Sequence, residues 1–306
     1  EVCCERLPAN SLIRAGQMSK IHRRGILLQG MCAFGLGAWP LASPAQPATA
    51  GQPLQLGVLP ISSTRVLLRN YTPVQAYLER TLGQPVELVT APDFRTFHRG
   101  TLQGSYDLVV TATHLGRAAQ IDAGWLPLGR YTALHRTLLI GRRAGPPARL
   151  EELRGQTLAG PDTLTLAAME AFDWLQGRGL RGGVDYTYLE TPTPSSAAQA
   201  LINGQSLLAV SSPQGMKNTP EALREQIMVF ANLPELPSLL WLAHPRLAAR
   251  QNVLKSALLG LNTPAAGVVE FFEATGYQGV REVKSAELAV TDRYLPRLRE
   301  VLKAAR

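Results

Sequence analysis

The chain has 306 residues, of which 45% are hydrophobic, 18% charged and 6% aromatic, with a formal net charge of +8 and three cysteines. This composition supplies enough apolar side chains for one large domain or two modest ones, and it excludes a collagen-like, coiled-coil or wholly disordered chain. The basic side chains are mainly arginine, spread along the chain without interleaved aromatic residues, so we do not expect nucleic acid as a partner.

Residues 18–50 have the order of a secretory signal. A short basic segment follows Met18, a mainly apolar run extends from Ile26 to Leu41, and small residues follow as far as Ala48-Thr49-Ala50. This order is typical of an exported protein, and Arg23-Arg24 resembles a twin-arginine signal. The run is too short and too often interrupted for a transmembrane helix. We therefore predict a periplasmic protein in which residues 1–50 are upstream residues plus a cleaved signal. The alternatives are a buried N-terminal helix and a lipid anchor on Cys32.

Removal of this segment changes the charge and the cysteine count. Residues 1–50 carry five basic and two acidic side chains, so the remainder keeps 26 of the 31 basic and 21 of the 23 acidic residues, a formal net charge of +5. All three cysteines, Cys3, Cys4 and Cys32, lie in the removed segment. The exported chain would then form no disulfide and offer no cysteine to a metal.

The sequence after residue 50 alternates between strands and helices. In the first part, strands are predicted at Leu54–Leu59, Val86–Val89, Tyr106–Val110 and Leu126–Tyr131, and helices at Val66–Leu82, from Asp93 to about Gly104, and at Leu115–Ala123. Alternation of this kind indicates a parallel sheet with helices on its faces.

The second part repeats the alternation and then becomes mainly helical. Strands are predicted at Thr137–Gly141, Thr157–Ala159, Tyr186–Leu189, Leu207–Val210, Val229–Ala231 and Leu239–Leu242, and helices at Leu150–Leu153, Leu164–Leu175, Ser195–Ile202, Arg246–Leu261, Thr263–Thr275 and Asp292–Lys303. The fold class is therefore α/β, with two lobes that are each a mostly parallel sheet flanked by helices. Residues 51–135 and 238–306 form lobe one and residues 136–237 form lobe two, with hinge strands near Leu138 and Leu240.

Three predicted loops rich in hydroxyl side chains stand between the carboxyl end of a strand and the start of a helix. Ligands of open α/β sheets bind at this edge, where helix N-termini offer unpaired N–H groups to an anion. The ordinary alternative for each loop is capping of its own helix. The candidate ligand-binding residues in these loops are Ser62, Ser63 and Thr64, then Thr111, Thr113 and His114, and finally Asp162, Thr163 and Thr165.

Motifs of catalysis, of nucleotide binding and of metal binding are absent from the sequence. It contains no nucleophile elbow, phosphate-binding loop, dinucleotide fingerprint or metal-ligand spacing. We therefore expect neither a metal nor a cofactor. His98, His135 and His244 stand beside arginine or proline, and we expect them at surface or hinge positions. Arg65, just after the first hydroxyl-rich loop, is a candidate partner for an anionic ligand.

Several short motifs follow one another over most of residues 54–300. They are Leu56-Gly57-Val58-Leu59-Pro60, Tyr71–Leu78 before Gly83, Thr90-Ala91-Pro92-Asp93-Phe94, Gly104-Ser105-Tyr106-Asp107-Leu108, and Leu150–Gly155 followed by a strand. Their order and spacing resemble the phosphonate- and phosphite-binding family of periplasmic substrate-binding proteins of ABC transporters. The resemblance implies a type 2 periplasmic binding protein fold, a small-molecule ligand held between two lobes, and an ABC permease as the membrane partner. It implies no enzymatic activity, and we expect a monomer.

The sequence departs from the family pattern at positions where the resemblance implies ligand contacts. Phe94 stands where the family has tyrosine, and Asp162 opens a segment where phosphonate binders have a Ser-Thr-Ser-Gly-type run. Ser211 and Ser212 replace an acidic position near the end of a strand. We add Phe94, Ser211 and Ser212 to the candidate ligand-binding residues and expect a small oxyanion of the phosphonate, phosphate or sulfonate kind.

Three other functions remain open at this point. A ligand-sensing subunit that reports to a histidine kinase would have the same chemistry. An enzyme on the same fold would need an acid and a base in the cleft, for which Asp162 and His114 are the candidates. The effector domain of a transcription regulator shares the two lobes, but it would need a helix-turn-helix segment where this chain has the predicted signal.

Overall fold

The structure is a computed structural model, and it describes residues 52–304. The predicted signal segment, its cleavage site, Cys32 and the twin-arginine pair lie outside the described residues. Within residues 52–304, no helix combines the length and the apolar character needed to cross a membrane.

Six strands form the larger sheet, in the order β13-β4-β12-β3-β1-β2. Within residues 52–304, lobe one contains this sheet, seven α-helices and three short 3-10 helices. Its strands are β1 (Leu54–Val58), β2 (Val86–Val89), β3 (Leu108–Ala112), β4 (Leu126–Tyr131), β12 (Leu239–Ala243) and β13 (Val280–Arg281), and its helices are α1 (Thr64–Leu82), α2 (Phe94–Leu102), α3 (Thr113–Ala123), α8 (Gln251–Gly260), α9 (Val269–Thr275), α10 (Ser285–Ala289) and α11 (Leu295–Lys303).

Five strands form the smaller sheet, in the order β10-β6-β9-β7-β8. In the described part of the chain, lobe two contains this sheet, four α-helices and the 3-10 helix Leu150–Leu153. Its strands are β6 (Leu138–Arg142), β7 (Thr157–Gly160), β8 (Thr187–Glu190), β9 (Leu208–Ser211) and β10 (Ile227–Asn232), and its helices are α4 (Leu166–Gln176), α5 (Pro194–Ile202), α6 (Pro213–Asn218) and α7 (Glu221–Arg224).

Most strands of each sheet run in one direction. In lobe one, β1 pairs in parallel with β2 and β3, while β12 lies between β3 and β4 and is antiparallel to both. In lobe two, β7 pairs in parallel with β8 and β9, and β6 lies antiparallel between β9 and β10. The inserted strands β12 and β6 are those that directly follow a connection between the lobes. The carboxyl ends of the parallel strands therefore lie beside the connections in both lobes.

Two extended segments, 132–137 and 233–238, connect the lobes. They pair with each other through β5 (Leu134–His135) and β11 (Leu236–Pro237), which are antiparallel. Each segment then enters a sheet directly, since Leu138 is opposite Ser211 and Leu239 is opposite Ala112. We call these paired segments the interlobe ribbon.

Each lobe has its own apolar interior, and one helix contributes to both. Lobe one is built around residues such as Trp241, Tyr131 and Phe271, which are 1% exposed or less. Lobe two has two smaller clusters, one on each face of its sheet. The start of α4, a lobe-two helix, belongs to the interior of lobe one through Leu166 and Met169. The lobes are therefore packed together along α4.

Several elements differ from the sequence predictions. The predicted C-terminal helices begin with short 3-10 segments at Pro245–Arg250, Pro264–Ala266 and Asp292–Tyr294. His98, which we predicted at the surface or hinge, is 2% exposed. That prediction is wrong because α2 turns the face carrying Phe97 and His98 toward the lobe interior and packs against α3. Burial lowers the pKa of His98 to about 4.

Candidate functional site

The loop after β1 leads to a helix start whose N–H groups are not capped by a side chain. Val58 is opposite Val110 of β3, and the Leu59 N–H donates to the Val110 carbonyl at 2.9 Å. Ser63 is the N-cap of α1, but its side chain accepts no hydrogen bond from the helix. Ser62, Ser63 and Thr64 are all exposed. The first turn of α1 therefore presents free N–H groups and three hydroxyls to solvent.

Helix α3, which follows strand β3, starts in the interior of the protein. Thr111, Thr113 and His114 are 2%, 0% and 0% exposed. The Thr113 hydroxyl lies 2.8 Å from the Pro237 carbonyl and 2.5 Å from the Ser238 carbonyl, and these two carbonyl groups share its single proton. Thr113 thus holds the start of α3 against the interlobe ribbon, and its hydroxyl is engaged within the protein.

His114 reaches from α3 to lobe two. Its Nε2 lies 2.9 Å from the Leu164 carbonyl, in the segment before α4. Burial is the main cause that lowers the pKa of this imidazole to about 3. A neutral ring that donates to Leu164 satisfies this geometry, and its Nδ1 is buried without a partner. The structure therefore brings together two of the predicted loops, at a hydrogen bond between the lobes.

In the segment from Asp162 to Thr165, the polar side chains form hydrogen bonds with nearby backbone N–H groups. The Asp162 carboxylate accepts from the Leu164 N–H at 2.7 Å, and the Thr165 hydroxyl accepts from the Ala168 N–H at 3.2 Å. The Thr163 N–H points to the Glu190 carboxylate at 3.4 Å, a long contact. Two carboxylates thus face N–H groups that would otherwise be available to an anion.

The remaining predicted residues lie at two further carboxyl ends. Ser212 caps α6, its hydroxyl accepting from the Gly215 N–H at 3.0 Å. Ser211 is 7% exposed, and its hydroxyl has no hydrogen-bonding partner in the structure. Phe94 is the first residue of α2 and packs, half-buried, against the interior of lobe one. Phe94 therefore contributes to the packing of lobe one, and part of its side chain remains exposed to solvent.

In the part of the chain that the structure describes, six helices begin at the carboxyl end of a strand, and their caps divide them into two groups. In four of them the N-cap side chain accepts a hydrogen bond from the third helical residue: α2 with Asp93, α4 with Thr165, α5 with Thr193 and α6 with Ser212. In α1 and α3 the N-cap side chain accepts no hydrogen bond from the helix. Since α3 starts in the interior, α1 is the long helix at this edge whose free N–H groups face solvent.

Sequence reasoning missed Glu190 and Tyr188 at this edge. Tyr188 donates from its hydroxyl to the Pro161 carbonyl at 2.5 Å and so supports the loop that follows β7. Glu190 ends β8, directly beside that loop. Tyr188 lies on the predicted strand Tyr186–Leu189 and Glu190 follows directly after it, at the carboxyl edge where open α/β sheets bind ligands, so the signal was available. Among residues 52–304, no three His, Cys, Asp or Glu side chains are grouped as metal ligands.

Comparisons with known proteins agree with this architecture. The family model described as "ABC transporter, phosphonate, periplasmic substrate-binding protein" matches residues 56–288. A search of curated proteins finds no match. A Xanthomonas citri protein bound to ATP is 18% identical with a TM-score of 0.71, the alignment covering 81% of this chain and 98% of that one.

Two further solved structures have the same fold and small anionic ligands in their descriptions. PhnD1 from Prochlorococcus marinus, in complex with methylphosphonate, is 13% identical with a TM-score of 0.66, over 81% of this chain and 98% of that one. The periplasmic aliphatic sulphonate binding protein SsuA from Escherichia coli is 14% identical with a TM-score of 0.59, over 83% and 94%. The predicted two-lobed α/β fold is confirmed. The chain belongs to the phosphonate-binding family of periplasmic substrate-binding proteins of ABC transporters.

Proposed function

We propose that this protein captures a small, singly charged oxyanion at the N-terminus of α1, between the two lobes, and delivers it to an ABC permease. The observation that carries the proposal is the exposed, uncapped start of α1, with the hydroxyls of Ser62, Ser63 and Thr64 around it. N–H groups at a helix start and the helix dipole favour an anion. Arg65 is exposed in the first turn of α1 and adds a positive charge nearby.

The carboxylates of lobe two argue for a single negative charge on the ligand. Asp162 already accepts from the Leu164 N–H, and Glu190 from the Thr163 N–H over a longer distance. A ligand anion that approached these groups would meet two negative charges, and the repulsion grows with the charge of the ligand. A sulfonate, or a phosphonate in its singly protonated form, fits this arrangement better than a dianion does. Of the similar structures, one holds methylphosphonate and another is named as a sulphonate binder.

The lobes would close over the ligand by movement about the interlobe ribbon. We propose residues 51–135 and 238–306 as lobe one and residues 136–237 as lobe two, which agrees with the sheet to which each strand belongs. The ligand would shift the equilibrium between open and closed arrangements, and the permease would bind the closed one. The burial and low pKa of His114 argue against its use as a catalytic base. We therefore propose a non-catalytic, monomeric protein that is exported to the periplasm.

The proposal is tested by calorimetric titration of the purified protein with methanesulfonate and methylphosphonate at pH 6 and pH 8.5. We expect both anions to bind at pH 6, and methylphosphonate to bind more weakly relative to methanesulfonate at pH 8.5, where it carries two charges. Asp162→Asn keeps an oxygen for the Leu164 N–H but removes a charge, so this variant should recover affinity for the dianion. The absence of binding by either anion at both pH values would contradict the proposal.

A further inference from the structure

A carboxyl group is buried between the lobes without a hydrogen-bonding partner. Glu170, on α4, is 1% exposed, and neither of its carboxylate oxygens has a partner in the structure. An ionised carboxylate in this position is costly, because it has lost its water without gaining donors. The group is outside the proposed ligand site, so its burial needs a separate explanation.

Glu170 faces lobe one because of its position on α4. Leu166, Met169, Glu170 and Asp173 follow helical spacing and share one side of the helix. Leu166 and Met169 pack in the interior of lobe one, whereas the other side of the helix packs in lobe two through Ala168, Ala171, Phe172 and Leu175. The carboxyl group therefore lies at the surface along which the lobes meet.

Few charged or polar groups surround this carboxyl group. Arg293, on the 3-10 segment of lobe one, faces it, but its Nε lies 3.5 Å from the Asp173 carboxylate and its Nη2 donates to the Tyr294 hydroxyl at 2.7 Å. From the interlobe ribbon comes Thr137, whose hydroxyl pairs with the His135 ring at 3.0 Å. Arg293 and Thr137 thus each have another partner, and Thr137 also acts as a weak donor to the Glu170 carboxyl group, outside the geometry of a normal hydrogen bond.

These neighbours leave burial as the dominant influence on Glu170. Burial raises the pKa of Glu170 to about 7; Thr137 and Arg293 oppose the rise, and Asp173 adds to it. The pKa of His135 is lowered to about 4 by burial, and that of His114, which bonds to the segment before α4, to about 3. Of these groups, Glu170 is the one expected to change its charge between pH 6 and pH 8.

We propose that protonation of Glu170 holds α4 against lobe one, and that its ionisation shifts the lobes toward an arrangement in which the carboxylate reaches water. The packed arrangement also contains the His114–Leu164 hydrogen bond, which joins two of the loops at the proposed ligand site. It is therefore the arrangement in which the ligand loops of the two lobes are in contact. The link to ligand affinity rests on the proposed function; the link to lobe arrangement does not.

The coupling between proton binding at Glu170 and the arrangement of the lobes determines how ligand affinity should change with pH. A group that binds its proton more tightly in the packed arrangement makes that arrangement less favourable as pH rises toward its raised pKa. If ligand binding requires the packed arrangement, affinity for a ligand of constant charge should fall between pH 6 and pH 8, by up to about tenfold. Methanesulfonate stays singly charged over this interval, so its own titration does not contribute.

The experiment measures the distance between the lobes without ligand. Azidophenylalanine replaces Val184 of lobe two and Val253 of lobe one, which are 69% and 57% exposed, and carries fluorophores for energy transfer. Transfer efficiency is recorded in steps from pH 6 to pH 8 for the protein, for Glu170→Gln and for Glu221→Gln, which removes an exposed carboxyl group on α7. Glu170→Met serves as a second variant, because methionine has a similar length and can be buried without a charge.

We expect the transfer efficiency of the protein and of Glu221→Gln to change as pH rises toward about 7 and to level off above it, and both Glu170 variants to keep the value of the low-pH state. If the Glu170 variants retain the pH dependence, or if the protein itself shows none, the proposal is overturned. Titration with methanesulfonate on the same samples then tests the link to affinity. A failure of all samples to bind it, with the distance change intact, would contradict the proposed function and leave the role of Glu170 standing.

Discussion

The Thr113 hydroxyl connects the first residue of α3 to the interlobe ribbon. It is fully buried and donates to carbonyls of Pro237 and Ser238, which belong to the segment that returns the chain to lobe one. Buried carbonyl groups at such a crossing need donors, because water cannot reach them. At the scale of single residues, polar groups near the proposed site therefore serve the joint between the lobes as much as the ligand.

Thr113→Val should weaken this joint. Valine has nearly the same shape but cannot donate, so we expect the free energy of unfolding to fall by about 1–3 kcal/mol. Thr101→Val is the matched control, since Thr101 is equally buried but donates to Phe97 within its own helix. Both variants should lose stability in urea, whereas faster hydrogen exchange at residues 233–238 should occur only in Thr113→Val. Equal exchange in the two variants would contradict the assignment.

Glu170 should make stability depend on pH with a definite sign. Its pKa in the folded protein is about 7, against an ordinary value of 4.5, so the folded protein holds this proton more tightly than the unfolded chain does. The tighter proton binding by Glu170 stabilises the folded protein fully below about pH 4.5, and this stabilisation is lost as pH rises to about 7. The loss is about 3 kcal/mol at most.

Urea unfolding of the protein and of Glu170→Gln at pH 5 and pH 8 measures this effect. We expect the variant to gain stability relative to the protein on going from pH 5 to pH 8. The buried His98 and His114 and the half-buried His135 have lowered pKa values, so they destabilise the fold as pH falls below 6.5. They are common to both proteins and cancel in the comparison. Parallel pH profiles would show that Glu170 does not titrate as described.

At the scale of elements, the start of α1 differs from the other helix starts at the same edge. Ser63 leaves the first turn uncapped and already has an extended backbone, with φ of −58° and ψ of 142°. Proline at position 64 is compatible with that geometry, because the residue before proline favours extended conformations and proline fits the first helical turn. A substitution there can remove one N–H group while the helix is kept.

Thr64→Pro and Thr64→Ala together separate the N–H group from the hydroxyl. Both lack the hydroxyl, but only proline also lacks the N–H. If the α1 N-terminus binds the anion, Thr64→Pro should lose about tenfold or more in affinity for methanesulfonate relative to Thr64→Ala, since a hydrogen bond to a charged group contributes about 1.5–3 kcal/mol. Equal affinities in calorimetry would exclude that N–H as a contact. Circular dichroism checks that the helix content is unchanged.

The longer elements were predictable from sequence, and the short ones were not. The α1 helix shows its apolar side in Leu67, Val74 and Leu78, and its end in Gly83, which has a left-handed φ of 61°. Val280, by contrast, is held in β13 by a side chain: Asn262 accepts from the Val280 N–H at 2.7 Å and donates to its carbonyl at 2.6 Å. A two-residue strand has no periodicity to read, and its partner is distant in sequence.

At the scale of the molecule, the order of strands and helices was sufficient to predict two sheets and a double crossing between them. It was also sufficient to place three hydroxyl-rich loops after the carboxyl ends of strands. The order of elements could not predict which side chains of these loops are buried and which are exposed, because their burial depends on how the lobes pack. Thr113 and His114 have the same local sequence signals as Ser63 and Thr64, yet they point into the protein. Glu170 gave no signal, because α4 also carries Asp173 and Gln176, and the sequence does not show which of these polar side chains is buried.

A crystal structure of the protein with methylphosphonate, grown at pH 6, tests the central claim most directly. We expect the phosphonate between the lobes, with its oxygens within hydrogen-bonding distance of the backbone N–H groups of residues 64–66 and of the Ser62 or Ser63 hydroxyl. We also expect no phosphonate oxygen to replace the Asp162 carboxylate at the Leu164 N–H. A phosphonate bound at the start of α4 instead, or bound outside the cleft, would contradict the account.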